Sequence, residues 1–475
     1  MQNSERIWDL VDEHRAEFVA LSDRVWGMPE IAYTEYASVA EHAAMLREQG
    51  FRVTENVAGI PTAVMGEAGA GGPIIAILGE YDALPGLSQE AGIAEPKPLP
   101  GNGHGHGCGH NLLGSAAMLA ATAIKDWLAQ SGKPGRVRYY GCPAEEGGAA
   151  KSFMAREGAF DGVDAAITWH PSAFTEVARA LSLANTRMDF RFTGRASHAA
   201  AAPHLGRSAL DAVELMNVGV NYLREHVPSD SRIHYAMLDS GGIAPNVVQA
   251  KSAVRYAIRS RDLKGMLDLN ERVKQVALGA AMMTGTTVDI SIMSAVSNLL
   301  PNRPLEEAMQ RNLEHLGPIP FDADDKAFAA KIQATLSDED IDNAYRAVGI
   351  PRQETPICDF IVPLDVRGEP MIGSTDVGDV SWLMPTVQAH AATIAIGTPG
   401  HSWQVTAQGK TAAAHKGMTH AAKMMAGTAI DLLSDSQLLA AAKADHQARL
   451  GKTSYVCPIP QDVNPPLQPR PKEAA

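Results

Sequence analysis

Short apolar runs typical of strands alternate with longer helical runs over the first 170 residues, after an amphipathic N-terminal helix. The segment PIIAIL (73–78) is predicted to be a buried strand, and the small-residue segment 112–130 a helix that lies close to a sheet. A strand over 136–141, a helix near 149–158 and a strand over 164–169 follow. This order predicts an α/β protein with a mostly parallel sheet covered by helices on both faces.

The pattern changes near residue 183, where a half-buried strand begins. Further elements follow in the order helix, strand, strand, helix and strand, over residues 206–226, 233–240, 247–259, 263–283 and 286–295. With the strand that precedes them, they have the β-α-β-β-α-β order of a self-contained α+β unit. We therefore predict a domain that is inserted into the larger α/β domain.

A chain of 475 residues is too long for one ordinary core. The predicted parts are a catalytic domain in two segments, an inserted domain and an extended Pro-rich tail, over residues 1–182 and 299–456, 183–298, and 457–475 respectively. The second catalytic segment contains a strand over 390–397 and a small-residue helix over 411–434. Residues 316–370 show no clear pattern.

Composition and charge argue against several classes of partner. The chain has 41 basic and 54 acidic residues, a net charge of −13, which disfavours nucleic acid and anionic membranes. No stretch approaches the ~20 apolar residues of a membrane span, and the N-terminus lacks the features of a signal peptide. Four cysteines are too few for a disulfide framework and suit a reducing compartment, so we expect a cytoplasmic protein.

The densest chemical signal is the loop GNGHGHGCGHN (101–111). Its alternating glycines remove side-chain bulk, so that backbone and ligands can close around a small ion. Cys108 and His110 can direct a thiolate and an imidazole at one cation, which suits zinc or another borderline divalent ion such as manganese. The loop alone is also compatible with a flexible Gly/His segment that holds an incidental buried cysteine.

Further metal-capable side chains follow the predicted strands. Sites in open parallel sheets lie at the carboxyl ends of the strands. Four predicted strands end next to carboxylate or imidazole groups, namely Glu80 and Asp82, Glu145 and Glu146, His170, and His401. Any one of these residues alone would more often be structural. Their recurrence at equivalent positions, together with the Cys/His loop, predicts a metal centre.

The adjacent carboxylates Glu145 and Glu146 can divide the work of a hydrolase. Neighbouring carboxylates at a strand end often face apart and are simply solvated. Beside a metal, one can bind the ion while the other takes a proton from water and delivers it to the leaving amine.

The inserted domain supplies a second set of polar groups. His198, in GRASHAAAAPH (194–204), can donate a hydrogen bond to an oxyanion, and Asn246 can assist it. Arg259 can pair with a substrate carboxylate through two hydrogen bonds. The same residues are also compatible with turns and a solvated arginine.

The motifs HGCGHN, EYDALP, PAEEGG, GRASHA and GIAPNVV resemble those of the M20 metallopeptidases, in the amidohydrolase branch whose bridging ligand is a cysteine. The resemblance runs from about residue 5 to about residue 460. It implies two divalent ions, Mn²⁺ or Zn²⁺, bridged by Cys108 and completed by four further ligands, which are His110, Glu146, His170 and His401. Glu145 matches the general acid/base, and Asp82 matches the aspartate that orients a metal ligand.

The resemblance also implies roles for the inserted domain. It matches a lid that pairs two subunits, in a homodimer or in a heterodimer with a related subunit. His198 matches the lid histidine that reaches the neighbouring subunit's active site, and Asn246 and Arg259 match its polar companions on the substrate. Glu80 stands where many relatives have a metal-binding histidine, so we assign it no ligand role.

The implied reaction is hydrolysis of an N-acyl amino acid, with an aroyl-glutamate such as p-aminobenzoyl-glutamate as the expected substrate. One alternative is a hydrolase of another N-acyl amino acid or dipeptide, for example indole-acetyl-aspartate. Another is a weakly active partner subunit of a hetero-oligomeric hydrolase. A thiol enzyme with Cys108 as nucleophile is disfavoured, because no base is available to it apart from the expected ligands.

Overall fold

The computed structural model describes residues 2–366, 368–369 and 373–469. Its strands within these ranges are β1 (Arg52–Glu55), β2 (Val64–Ala70), β3 (Ile74–Glu80), β4 (Gly135–Cys142), β5 (Ala165–Ser172), β6 (Glu176–Val177), β7 (Ala184–Thr193), β8 (Arg232–Asp239), β9 (Lys251–Ser260), β10 (Thr287–Val296) and β11 (Thr386–Ala392). The α-helices are α1 (Gln2–Trp26), α2 (Tyr36–Glu48), α3 (His110–Ser131), α4 (Ala150–Arg156), α5 (Ala209–Leu223), α6 (Leu263–Thr284), α7 (Arg303–Leu316), α8 (Ala323–Gln333), α9 (Asp338–Val348), α10 (Val377–Leu383), α11 (Trp403–Gln408), α12 (Ala412–Ser434) and α13 (Ser436–Leu450).

The larger sheet has seven strands in the order β1-β2-β4-β3-β5-β11-β6. Its middle strands β4, β3, β5 and β11 are parallel, whereas β1, β2 and β6 pair in antiparallel fashion toward the two edges. Strand β3 is buried along its whole length, as expected for a strand that is covered by helices on both faces. The predicted mostly parallel α/β sheet is confirmed.

Helix α3 is the central helix of the core, where it packs with α1 and α12. It lies very close to β3, because a Cβ atom at Gly114 would be only 2.5 Å from the carbonyl oxygen of Glu80. By length and composition α3 could cross a membrane, but 83% of its apolar window is buried inside the fold. Its apolar character is therefore explained by core packing.

The smaller sheet is antiparallel, with the order β10-β7-β9-β8. Helices α5 and α6 cover one face, against which Met188, Phe190 and Phe192 of β7 are buried. Alternate residues of a strand point to opposite faces, so the polar positions of β7 face away from these helices. The predicted β-α-β-β-α-β order is confirmed, while the exact domain bounds at 182 and 298 stay predictions.

Two parts of the second α/β segment differ from expectation. Residues 316–370, which showed no pattern, contain α8 and α9, each of which begins at an acidic capping box. The strand expected over 390–397 is instead β11, Thr386–Ala392. It ends there because Ala392 pairs with Ser172, the last residue of β5, and an apolar run beyond the last paired residue has no ladder to join.

The Pro-rich tail is extended but packed. Residues 457–469 contain no helix or strand, and residues 470–475 of the predicted tail lie outside the described ranges. Ile459 is buried, and Arg156 donates from Nη1 to the carbonyl oxygens of Pro460 and Val463, both at 2.7 Å. The tail therefore covers part of the α/β domain.

Candidate metal centre

A cavity of about 350 Å³ lies at the carboxyl ends of the parallel strands. Residues of both sheets line it, from β5 of the larger sheet and from β7, β9 and β10 of the smaller one. Six of the expected site residues are among its lining residues, namely Cys108, Glu145, Glu146, His170, Arg259 and His401. Two more, Asp82 and His110, are buried and contact this group through the interactions described below.

The turn before α3 carries two of these side chains into the site. Gly109 adopts φ +77° immediately before the first residue of the helix, His110, a conformation that glycine adopts without strain. Cys108 precedes it, and its Sγ lies 3.4 Å from Nε2 of His170. Burial raises the pKa of the Cys108 thiol, whereas coordination to a cation deprotonates a thiol.

The two other histidines reach the site differently from the sequence expectation. His170 lies inside β5, because pairing with β11 extends that strand to Ser172. His401 comes from the loop after β11 and has φ +55°, which is unusual for a residue other than glycine. Its backbone N–H donates to the Gly107 carbonyl at 3.1 Å, which joins this loop to the Gly-rich loop.

Asp82 joins two parts of the site. Nδ1 of His110 donates to one carboxylate oxygen of Asp82 at 2.9 Å, and the other oxygen accepts the backbone N–H of Glu146 at 2.9 Å. An ionised carboxylate can only accept hydrogen bonds. Asp82 therefore selects the His110 tautomer whose Nε2 has a free lone pair for an ion.

The donor atoms fall into two groups that share one residue. Ligand atoms of Cys108, His110 and His170 lie within 4.8 Å of one another, and so do those of Cys108, Glu146 and His401. A third group at the same spacing contains Glu80, His110 and Glu145. Thiolate, imidazole and carboxylate donors at this spacing suit Zn²⁺ or a similar divalent ion.

The charges of the site favour a cation. Burial lowers the pKa of His110, but the charges of Cys108 and Asp82 outweigh it and raise that pKa well above its usual range. Burial opposes ionisation of Glu146, yet its contacts with His401 and His110 lower its pKa to about 2.

Three atoms of the site are buried without a hydrogen-bond partner among the described residues, namely Glu80 Oε2, His110 Nε2 and Glu146 Oε1. Ion-pair contacts at 3.2–3.3 Å are all that they make within the protein. Buried polar atoms are rarely left in this way, so the residues present fit a bound cation.

Glu145 differs from its neighbour. Burial and the nearby charges of Glu80 and Asp376 raise its pKa well above its usual range. A carboxyl group with a raised pKa can hold and release a proton at a pH where an ordinary glutamate stays ionised. It is absent from both groups that share Cys108.

A buried lysine beside Glu145 was missed by sequence reasoning. Lys151 is fully buried, with Nζ 2.6 Å from Glu80 and 2.7 Å from Asp376. The only available signal was a lysine among apolar residues in the short helix α4. The ion pair commits one oxygen of Glu80 to Lys151, which agrees with the absence of a ligand role for Glu80 in the sequence prediction.

Not all of the expected residues lie at the cavity. His198 and Asn246 are exposed and do not line it. Nδ1 of His198 accepts hydrogen bonds from the backbone of Ala200 and Ala201, at 3.2 and 3.1 Å. Their predicted roles require a neighbouring subunit, so these roles stay predictions. Arg259, in contrast, lines the cavity of its own chain.

A mostly parallel α/β sheet with thiolate, imidazole and carboxylate donors at its carboxyl edge is the arrangement of a metal-dependent hydrolase. The chain belongs to peptidase family M20/M25/M40, whose profile matches residues 76–355. The family resemblance of the motifs is thereby confirmed, and the chain is a hydrolase that acts on amide bonds.

Individual relatives agree with this assignment. The chain is 46% identical to one of the subunits of p-aminobenzoyl-glutamate hydrolase from Escherichia coli (strain K12) over 468 residues, which cover 96% of this chain and 97% of that protein. It is 29% identical over 460 residues to the Xaa-Arg dipeptidase of Mus musculus, with 94% and 92% covered. The crystal structure of the Bacillus subtilis YXEP protein, a dinuclear metal-binding peptidase of the M20 family, has a similar fold, with TM-score 0.56, 16% identity, and 89% and 99% covered.

Proposed function

We propose that this chain hydrolyses p-aminobenzoyl-glutamate to p-aminobenzoate and glutamate. The observation that carries the proposal is the 46% identity to the Escherichia coli p-aminobenzoyl-glutamate hydrolase protein over nearly the whole of both chains. The cavity supports it, because candidate ligands, an acid/base carboxyl and an arginine for a carboxylate all line the same space.

The proposed site holds two divalent ions, Zn²⁺ or Mn²⁺. One would be held by Cys108, His110 and His170, and the other by Cys108, Glu146 and His401, so that the cysteine bridges them. The two groups of donor atoms that share Cys108 support this division. When bound, the ions would polarise the amide carbonyl and make the attacking water more acidic.

Glu145 performs the proton transfers in this proposal. It takes a proton from the attacking water, holds it, and returns it to the departing nitrogen, as one group that alternates between base and acid. Asp82 keeps His110 in the tautomer needed for metal binding. Arg259 meets a carboxylate of the substrate, and His198 of a second subunit donates a hydrogen bond to the oxyanion.

Substrate preference tests the proposed function. The metal-loaded protein is expected to release glutamate from p-aminobenzoyl-glutamate faster than it cleaves indole-acetyl-aspartate or an Xaa-Arg dipeptide, as measured by chromatography of the products. A preference for either other substrate would replace the proposal with that amidase. Activity that is lost on chelation and recovered with Zn²⁺ or Mn²⁺ would exclude a thiol enzyme, whereas chelator-resistant activity would favour it.

The second subunit is proposed to dock on the smaller sheet. Strand β8 lies at an edge of that sheet and is exposed over most of its length, including Tyr235, Met237 and Leu238. An open edge of this kind readily pairs with another chain. The Escherichia coli relative is one of several subunits of its enzyme, which supports a related protein as an alternative to a second copy. A cysteine ligand suits a reducing compartment, so we propose a cytoplasmic location.

Mixed dimers test the predicted role of His198. His198→Ala should lower turnover about 100-fold without loss of metal, because an oxyanion donor is removed. A dimer that is co-purified through two tags, one on a His198→Ala chain and the other on a Glu145→Gln chain, contains one complete site and should recover about half of the wild-type activity. His204→Ala, a change at another exposed histidine of the same loop, should have no effect. A mixed dimer that is no more active than its parents would show that His198 does not act across subunits.

A further inference from the structure

Two guanidinium groups from the smaller sheet enter the cavity. Arg187 of β7 and Arg259 of β9 both line it. In the antiparallel register Arg187 lies opposite Ala257, and Arg259 lies opposite Asn185. The two arginines are therefore diagonal neighbours on the same face of the sheet, opposite the face that α5 and α6 cover.

Neither guanidinium has an acidic partner within the described residues. Nη1 of Arg187 donates to the carbonyl oxygen of Gly147 at 3.2 Å. Nη1 of Arg259 donates to the Ser374 hydroxyl at 3.3 Å, and its Nε is buried without a partner. Both arginines thus keep donors that the protein itself does not satisfy.

The other arginines on these two strands behave differently. Arg191 and Arg255 both form ion pairs with Asp189, at 2.8 and 2.6 Å. That carboxylate compensates their charges, as is usual for buried or half-buried cations. The absence of such compensation is specific to the pair that lines the cavity.

The backbone makes room for Arg187. Gly147 has φ +126°, and a Cβ atom there would lie 1.9 Å from Nη1 of Arg187. Any other residue would therefore displace the guanidinium. Gly147 directly follows Glu146, so this contact holds Arg187 next to the proposed catalytic centre.

The uncompensated charges predict an anionic ligand. Burial lowers the pKa of Arg259, and so does the charge of Arg187; burial and the charge of Arg255 lower the pKa of Arg187. Two neighbouring cations destabilise one another unless an anion joins them. The planar donor fork of a guanidinium matches a carboxylate, and two forks match a dicarboxylate.

We propose that Arg187 and Arg259 form a subsite for the two carboxylates of an acidic amino acid, with Arg187 meeting the side-chain carboxylate. This inference rests on the proposed function, in which Arg259 already meets one carboxylate of the substrate. It makes Arg187 a specificity residue for glutamate. A substrate of the Xaa-Arg type would bring a third cation to this place and is disfavoured.

The test compares two amides that differ only in the charge of the side chain, p-aminobenzoyl-glutamate and p-aminobenzoyl-glutamine. Wild-type kcat/KM should be about 10- to 100-fold higher for the glutamate compound, the range expected for a charged hydrogen-bonded pair. Arg187→Gln should remove most of that preference, mainly by raising KM for p-aminobenzoyl-glutamate, and should leave p-aminobenzoyl-glutamine within about threefold of wild type. Arg187→Lys should restore part of the preference.

Arg191→Gln is the matched control, because Arg191 lies on the same strand but outside the cavity; it should change neither substrate. If Arg187→Gln slows both substrates by the same factor, its role is structural and the inference is overturned. The inference is also overturned if the wild type does not distinguish the two amides.

A binding measurement separates this inference from the proposed function. In calorimetric titrations, the wild type should bind glutarate more tightly than butyrate, and Arg187→Gln should abolish the difference. If p-aminobenzoyl-glutamate is not hydrolysed but this pattern is found, the proposed function fails and the dicarboxylate subsite stands. Equal binding of glutarate and butyrate by the wild type overturns the subsite.

Discussion

Replacement of Glu145 by glutamine is expected to lower turnover about 10³- to 10⁴-fold, with both metal ions still bound. The amide has nearly the same shape as the carboxyl group but cannot take a proton from water or return one to the leaving nitrogen. Metal should be retained, because Glu145 belongs to neither donor group that shares Cys108. Steady-state kinetics and elemental analysis of the purified variant measure the two quantities separately.

The neighbouring carboxylate is the matched control for this change. Glu146→Gln removes a donor from the group with Cys108 and His401, so it should lower metal content together with activity. In the wild type, kcat/KM should fall as the pH drops through the pKa of Glu145, because a protonated carboxyl cannot act as a base. Residual activity of Glu145→Gln should lack this dependence. Turnover near the wild-type rate would remove Glu145 from the mechanism.

Replacement of Cys108 by alanine is expected to abolish binding of both ions and all measurable activity. Cys108 is the residue common to the two donor groups, so one substitution removes a ligand from each ion. Loss of a group that merely supports a ligand weakens metal binding about 10- to 100-fold, and loss of a shared ligand should weaken it more. Elemental analysis and titration with Zn²⁺ or Mn²⁺ measure this effect directly.

A stability measurement checks the same prediction without activity. Ions that bind the folded chain raise its Tm, so added Zn²⁺ or Mn²⁺ should raise the Tm of the metal-free wild type but not that of Cys108→Ala. Cys358→Ala is the control, because Cys358 is a buried free cysteine that does not line the cavity. It should behave like the wild type. A Cys108→Ala protein that is active and carries two ions would rule out the bridging role.

The fold was predictable from the sequence because local patterns determine most of its elements. The predicted strand over 73–78 and helix over 112–130 correspond to Ile74–Glu80 and His110–Ser131, since apolar period and length are properties of short segments. The prediction was weaker where tertiary pairing sets the bounds. Strand β11 begins and ends with its pairing to β5, and apolar character alone extended it wrongly to residue 397.

The candidate ligands were also visible in the sequence, through their recurrence next to strand ends. Parallel strands bring such positions to one edge of the sheet. His401 is a partial exception, because it follows β11 by nine residues (392 to 401) and is brought back by the contact of its loop with Gly107. Its place at the site depends on the packing of two loops, which the local sequence does not encode.

The sequence alone determined the class of fold and the chemical types of the candidate donors, because periodicity and side-chain chemistry are local properties. The tertiary structure decided how these donors divide around Cys108, that Lys151 binds Glu80, and that Arg187 faces the cavity without a carboxylate partner. Each of these facts depends on distances between segments far apart in the chain. Such distances arise only when the two sheets pack together and exclude water from the groups between them.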